Sequence, residues 1–449
     1  MRFLSMTSNK LSFGILLSLI LMANFSEAAE NRYHPNHLFI KMKNGQALVK
    51  SPLINSAQKI IADLYLVKTP NADTLVSKLE GKTEIEYVQR DFYSEKQQRP
   101  KLEPVDYRKM NLKAFAELDL GQFNDPDVNK LWAFGATAGM DIFGAYSSLP
   151  SHNPEEVIVA VADTGVDHNH EDLKDVMWSN PGEIPADGVD NDGNGYVDDI
   201  HGLNVLVRDA QGKATTNTMA SHWHGTHVSG TIAATQNNGV GIAGVASNVK
   251  IMAIRLVPDA ADELDSNIAE AFNYAARMGA KIINCSFGKR QSEGGMVIRD
   301  VINAIGKSHG VMVVAAKGND SSDNDTNLVY PASFDSENML VVASTTASAG
   351  LSSFSNFGKI TVDVAAPGSN IFSTVKNGKY SMASGTSMAA PNAAGVAAMV
   401  LGYYPKLTVT QLKSVLISSV TKIPAFTNKM ASGGRLNLKN ALTAAANQP

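Results

Sequence analysis

Three short segments carry residue types that together could break an acyl bond. Gly385-Thr386-Ser387-Met388-Ala389-Ala390-Pro391 places a serine where a turn meets an Ala-rich apolar run that reads as a helix. A hydroxyl there lies among unpaired N–H groups at the positive end of the helix dipole, where negative charge is favoured. Alone, such a serine is an ordinary N-cap. Asp163 follows Val157-Ile158-Val159-Ala160-Val161-Ala162, the continuous apolar run of a strand buried on both faces, and a Gly165 turn comes next. His224 opens a run of small residues, Gly225-Thr226-His227-Val228-Ser229-Gly230, that reads as a helix. An acid, a histidine and a serine at element boundaries are the parts of a nucleophilic relay. In it His224 takes the Ser387 proton, while Asp163 fixes the imidazole tautomer and stabilises its cation.

The pattern around these segments is α/β from about Phe123 onward. Val157–Ala162, Ile251–Val257, Lys281–Ser286, Val311–Ala316 and Leu340–Ser344 read as strands. Between them, a helix capped by Ser266 and ended by Gly279, and another over Met296–Ile305 followed by Gly310, show apolar residues at helical spacing. Met388–Leu401 reads as a buried helix. Alternating strands and helices predict a mainly parallel sheet covered on both faces, a three-layer α/β domain with its functional residues at the carboxyl ends of strands. Residues 36–93 read differently. His37–Met42, Leu64–Lys68 and Glu84–Tyr93 are strand-like and Ala72–Leu79 is helical, enough for a small α+β domain. The polar, Pro-broken stretch from Gln97 to Lys101 reads as a linker.

The 449 residues are 44% hydrophobic and 18% charged, as in a globular chain of about two to three domains. A net charge of −4 without a basic block argues against a nucleic-acid partner. With Cys285 the one cysteine, no intrachain disulfide can form. Arg2 and Lys10 precede an apolar run from Leu11 to Phe25, and Ser26-Glu27-Ala28 supplies small residues for a signal peptidase. This predicts a secretory leader, residues 1–28, cleaved after Ala28. The alternative is a retained membrane anchor.

Asp163-Thr164-Gly165, the His224–Val228 block and the Gly385–Pro391 block resemble the three signature blocks of the subtilisin-like serine peptidases, and they occur in that family's order, Asp, His, Ser. The resemblance implies a subtilisin-like catalytic domain over 123–449, an inhibitory propeptide over 29–94, and a linker over 95–122 that holds or adjoins the maturation site. It implies a secreted, monomeric serine endopeptidase acting on protein and peptide substrates, with its own propeptide as intramolecular inhibitor and no membrane association once mature. It makes His224 the base and His227 a structural histidine. Lys317-Gly318-Asn319-Asp320 is similar to the family's Ala-Ala-Gly-Asn segment, so Asn319 inherits the oxyanion donor's role. Asn284-Cys285-Ser286-Phe287-Gly288 resembles the segment that pairs with substrate backbone. Ser286, Phe287 and Gly288 would then form one wall of the primary pocket and Ala316, Lys317 and Gly318 the other. An apolar or aromatic preference follows, with Asp320 and Val329 as modifiers. Three departures bear on fine specificity: Lys317 where a small residue is usual, Asn392 where the family has histidine after the proline, and Trp223 before His224.

A second motif runs from Asp187 to Asp199. Asp190, Asp192 and Asn194 alternate before Gly195, like the first half of an Asp-x-Asp-x-Asn-Gly calcium loop. The Tyr196 carbonyl and Asp198 or Asp199 would complete a structural calcium site. His201 stands where an EF-hand has its closing glutamate, so the loop is not an EF-hand. Two other readings remain open from sequence. One is a zinc-dependent hydrolase using the His222, His224 and His227 spacing. The other is a non-catalytic binding protein on a peptidase fold.

Overall fold

The computed structural model describes residues 32–94, 101–103, 122–259, 263–290 and 295–448. The expected leader and most of the expected linker lie outside the described residues. The first unit comprises β1 (Tyr33–Met42), β2 (Ser56–Ile61), β3 (Leu64–Lys68), α1 (Ala72–Leu79) and β4 (Ile85–Phe92). Its strands pair antiparallel in the order β2-β3-β1-β4. Asn71 starts α1 by accepting the Thr74 N–H, and the helix buries Leu75 and Leu79 with Leu38, Ile40 and Val67 of the sheet. The alternate sheet residues Phe39 and Leu64 face away from α1 and join the core of the larger unit. Period-two alternation thus gives this small sheet two buried faces.

The larger unit begins with the short strand β5 (Leu102–Glu103) and the helix α2 (Ile142–Tyr146). There follow β6 (Val157–Asp163), β7 (Gly202–Arg208), β8 (Ala214–Thr215), α3 (His224–Ala233), β9 (Val249–Arg255), α4 (Asp265–Arg277), β10 (Ile282–Cys285), β11 (Lys289–Arg290), α5 (Met296–His309), β12 (Met312–Ala316), β13 (Val329–Tyr330), β14 (Met339–Thr345) and β15 (Val364–Pro367). The hairpin β16 (Ile371–Val375) and β17 (Lys379–Ala383) leads into α6 (Thr386–Tyr403), and the chain closes with α7 (Val409–Ser418), β18 (Thr421–Lys422), β19 (Gly434–Arg435) and α8 (Leu438–Ala445). The ten-stranded sheet has the order β18-β19-β15-β14-β12-β10-β6-β9-β7-β8. It is parallel except at its two edges, β18 and β8. Val159 and Val161 of β6 pack in one core with α6, whereas Ala160 and Ala162 pack in the other with α4 and α5. That alternation makes the three layers.

Strand β6 sits between β9 and β10, so the chain leaves it on one side and returns on the other. Such a reversal of strand order opens a crevice at the carboxyl ends, where ligands bind in open α/β sheets. The Ile251–Val257 strand is observed two residues earlier, at β9. The N–H groups of Leu256 and Val257 turn instead to the Asp163 carbonyl, at 2.8 and 3.0 Å. The cap expected from Ser266 also differs. Helix α4 starts at Asp265 without a capping side chain of its own, and the Ser266 N–H is met by Asp91 Oδ1 of the first unit at 2.9 Å.

Candidate active site

Asp163 ends β6 and is 1% exposed; His224 is the first residue of α3 and is 5% exposed. Their contact is close, with His224 Nδ1 at 2.8 and 2.9 Å from the two Asp163 oxygens. Asp163 Oδ1 also accepts the Thr164 N–H at 2.7 Å, which fixes the carboxylate plane. Gly225 explains how helix and strand come so near. A Cβ there would collide with the Gly165 carbonyl and press on Asp163 Cβ. The carboxylate holds the proton on Nδ1, leaving Nε2 as the lone-pair nitrogen. That Nε2 is buried and, among the described residues, has no protein partner.

Ser387 is the second residue of α6, so the helix ladder leaves its N–H free. Its Oγ donates to the Ser286 carbonyl at 3.1 Å, and Ser286 Oγ donates back to the Ser387 carbonyl at 3.1 Å. Pro391 accounts for the second bond. It has no N–H to give the carbonyl four residues earlier, which is that of Ser387, and Ser286 takes up the vacant acceptor. Asn319 follows β12 by three residues. Its Oδ1 accepts both the Thr386 N–H at 2.8 Å and the Thr386 hydroxyl at 3.0 Å. With the oxygen so committed, Nδ2 is the end available to a ligand. Thr386 Oγ1 also accepts the Gly318 N–H at 3.0 Å. Thr386 therefore aligns Asn319 with Ser387, a role that sequence reading did not give it although it stands beside the serine.

His227, one turn along α3, behaves as expected of a structural histidine. Burial pushes its pKa down to about 3, so it is neutral, and Nε2 donates to the Ile371 carbonyl at 3.0 Å. His222 Nδ1 meets the His224 N–H at 3.3 Å. Among the described residues these three histidines do not form a metal-competent group; the group that does is Glu183, Asp192 and Asp199. Asp167 is buried, accepting the Asn377 N–H at 2.7 Å.

The two expected pocket walls start side by side, because β10 and β12 are parallel neighbours with Cys285 opposite Ala315. Phe287 and Gly288 line a cavity with Ile268, Ile298, Tyr330 and Ser94. Cys285 is fully buried, its thiol pKa raised by desolvation, and is a core residue. Lys317 departs from the expectation of a side chain on the pocket. It is fully buried, and Nζ donates to Ala332 O, Ser333 Oγ and Thr361 O at 2.8, 3.0 and 3.2 Å. Only its backbone is left to form the wall.

In the acidic loop, oxygens of Glu183, Asp192 and Asp199 lie within 4.8 Å of one another. Burial raises the Asp199 pKa, and Tyr274, Asn180 and Asn194 donate to its carboxylate. Among the described residues Asp190 Oδ1 is buried without a partner, but it is not part of the converging group. The three converging carboxylates are of the kind that suits a hard cation. Asp192 and Asp199 belong to the set named from sequence, and Glu183 lies outside that motif. The Asp198 carboxylate instead accepts the N–H groups of Asp187 and Gly188, at 3.2 and 3.1 Å. Asp190 Oδ2 accepts from Gly195 N, and Asn194 Oδ1 from Tyr196 N. The Tyr196 hydroxyl bonds to Glu270.

Residues 155–439 match the Subtilase family profile. The chain belongs to the subtilase family. It is 30% identical over 419 residues to subtilisin-like protease 1 of Plasmodium berghei, a match covering 89% of this chain and 66% of that protein. It is 34% identical over 345 residues to an extracellular protease of Xanthomonas campestris pv. campestris, covering 72% of this chain and 57% of that protein. The chain thus spans less than two thirds of the length of these relatives. Fervidolysin from Fervidobacterium pennivorans shares the fold, with a TM-score of 0.69 at 22% identity over 92% of this chain and 62% of that one. This agrees with the three-layer subtilisin-like domain expected from sequence. Among the described residues no helix is long and apolar enough to cross a membrane.

Proposed function

We propose that the chain is a secreted serine endopeptidase of broad specificity, made as a zymogen. The observation that carries this reading is the buried His224 Nε2, without a partner among the described residues, on an imidazole clamped by Asp163 at the end of β6, while Ser387 bonds to Ser286 just past the end of the neighbouring β10. When substrate enters, Ser387 Oγ leaves the Ser286 carbonyl, gives its proton to Nε2 and bonds to the substrate carbonyl carbon. The carbonyl oxygen takes the negative charge and meets Asn319 Nδ2 and the Ser387 N–H. The tetrahedral adduct collapses as the amine departs with the proton from His224. Water, activated by the same imidazole, then releases the acid from the acyl-enzyme and restores the Ser387 hydroxyl. An extended substrate lies along 286–288 and 316–318 as an added strand, which accounts for tolerance of many sequences.

The first unit acts as the propeptide. Gln89 Oε1 meets the Val297 N–H at the start of α5 as Asp91 does at α4, and the Ser94 N–H donates to Glu263 O at 2.7 Å. Leu102 and Glu103 pair with Ala383 and Met382 of β17, the strand that leads into Ser387. With Ser94 and Leu102 each held to the larger unit, the maturation cut falls between them, inside the expected linker. Calcium held by Glu183, Asp192 and Asp199 stabilises the loop, and the mature enzyme works as a monomer outside the cytoplasm.

Ser387→Ala tests the reading. The wild type is labelled by a fluorophosphonate, hydrolyses casein and matures to a form whose N-terminus lies between residues 95 and 102. The variant does none of these. Casein hydrolysis by the variant equal to wild type refutes the assignment.

A further inference from the structure

Lys317 is sealed in the interior with, among the described residues, no carboxylate in hydrogen-bonding contact, an arrangement that ordinarily costs stability. The surrounding acids have other partners. Asp363 lies 3.6 Å from Lys413 and accepts the Val341 N–H. Asp325 accepts from Ile360 N, Thr361 N and the Thr361 hydroxyl. Asp323 accepts the Asp325 N–H. Among the described residues Lys317 Nζ bonds only to neutral oxygens, and these come from two separate segments, 332–333 and Thr361.

Those segments connect to the cleft. Residues 329–330 form β13, which pairs antiparallel with β11 directly after Gly288, placing Tyr330 opposite Lys289. Tyr330, Pro331 and Phe334 line the cavity that Phe287 and Gly288 also line. One wall of the expected primary pocket is therefore backed by 329–334, and the other wall contains the Lys317 backbone. Through its side chain Lys317 joins the second wall to the backing of the first. Asn319 has its own supports. Thr386 holds its amide oxygen, and Asn356 grips the segment by donating to Lys317 O and accepting from Asp320 N.

Resting on the peptidase reading above, we propose that Lys317 is a positioning residue for substrate selection, a buried tie that fixes the separation of the two pocket walls and acts on binding rather than on the oxyanion donor. It works from behind the pocket and touches no reacting atom. The site holds either protonation state. The ammonium donates to all three oxygens, whereas the amine donates to the two carbonyls and accepts the Ser333 hydroxyl proton. Desolvation lowers the Lys317 pKa from 10.5 to about 7, against the opposing pull of Asp325, Asp363 and Asp323.

The test is Lys317→Met, which keeps the volume and removes the donors. On tetrapeptide anilides with phenylalanine at the acyl side of the scissile bond, KM rises about tenfold, more than kcat falls. With alanine at that position, which leaves the pocket partly empty, the rise is smaller. Ser333→Ala removes one of the three contacts and gives a smaller KM rise of the same kind. It also decides the matter should the lysine variant fail to fold: unchanged KM there overturns the proposal. A fall confined to kcat in Lys317→Met overturns it too, since that places the effect at Asn319. A melting series adds a second readout. Between pH about 7 and 10.5 the unfolded lysine holds a proton that the folded one has lost, so wild-type stability rises with pH relative to Lys317→Met. Fluorophosphonate titration keeps the two readings apart: wild type labelled at Ser387 with unchanged KM in the variants refutes only the tie, whereas wild type that is not labelled refutes the peptidase reading itself.

Discussion

Asp163 and Asp199 are both buried carboxylates, but their surroundings differ in kind. Asp163 has its counter-group built in: the His224 imidazole and the Thr164 N–H take up its oxygens. Asp199 faces two further carboxylates, Glu183 and Asp192, and the donors around it are neutral amides and a phenol. In the cleft the groups come from the ends of three distant elements, β6, α3 and α6, and the sheet sets their geometry. In the acidic loop they come from one stretch between Glu183 and Asp199, held by hydrogen bonds within that stretch and, from α4, by Tyr274 at Asp199. The first arrangement is complete as a protein. On the calcium reading proposed above, the second is complete only with a cation. The cleft should therefore be sensitive to single atoms and indifferent to chelators, and the loop the reverse.

The sharpest break of that contrast is Asp163→Asn, which alters one atom of the pair. An amide at this position donates to His224 Nδ1, moves the imidazole proton to Nε2 and leaves no base for Ser387. We expect kcat to fall by about 10⁴ with KM and melting temperature little changed. A loss below tenfold would mean that the Asp163–His224 contact is structural. Asn319→Ala is next. Its Nδ2 meets charge that exists only in the transition state, so kcat falls by about 10²–10³ while KM stays near wild type. An equal change in KM would instead make Asn319 a ground-state binding residue.

The same contrast governs what could be read from the sequence. Asp163, His224 and Ser387 lie at or beside strand and helix boundaries, and those boundaries follow from apolar runs and small residues, so the positions that the proposed relay uses are legible in the sequence. The buried strands β6, β10, β12 and β14 were legible for the same reason. Strand β7, the edge strand β8 and the hairpin β16–β17 do not stand out in the sequence, because they lack a long continuous apolar run. The cap on α4 was misread, since Asp91 supplies it from a residue far away in the chain. Lys317 was read as lining a pocket because its neighbours do. Which way a long side chain turns depends on acceptors at Ala332, Ser333 and Thr361, and no spacing rule contains them. In the acidic loop, alternation named the carboxylates but could not say which ones turn inward. Glu183 lies outside the repeat and still converges, whereas Asp198 lies inside it and points to backbone N–H groups.

The smallest expected effect sharpens the comparison from the loop side. With calcium bound, Glu183→Gln weakens a ligand and lowers the melting temperature by about 2–4 °C for each kcal/mol lost. In excess chelator the sign reverses. The substitution then removes one of three mutually repelling carboxylates, and the variant melts no lower than wild type. Glu183 Oε1 and Oε2 also accept the N–H groups of Asn191, Asp192 and Asp198, and the glutamine retains one oxygen for them, so the reversal is partial. Asp198→Asn provides the control. Among the described residues its carboxylate serves only Asp187 N and Gly188 N, so its cost is the same with and without the ion. Melting curves for the two variants in calcium and in chelator separate the cases. A Glu183→Gln deficit of equal size in both conditions would make Glu183 a loop brace like Asp198, and the distinction between a self-contained cleft and an ion-dependent loop would fail at that residue.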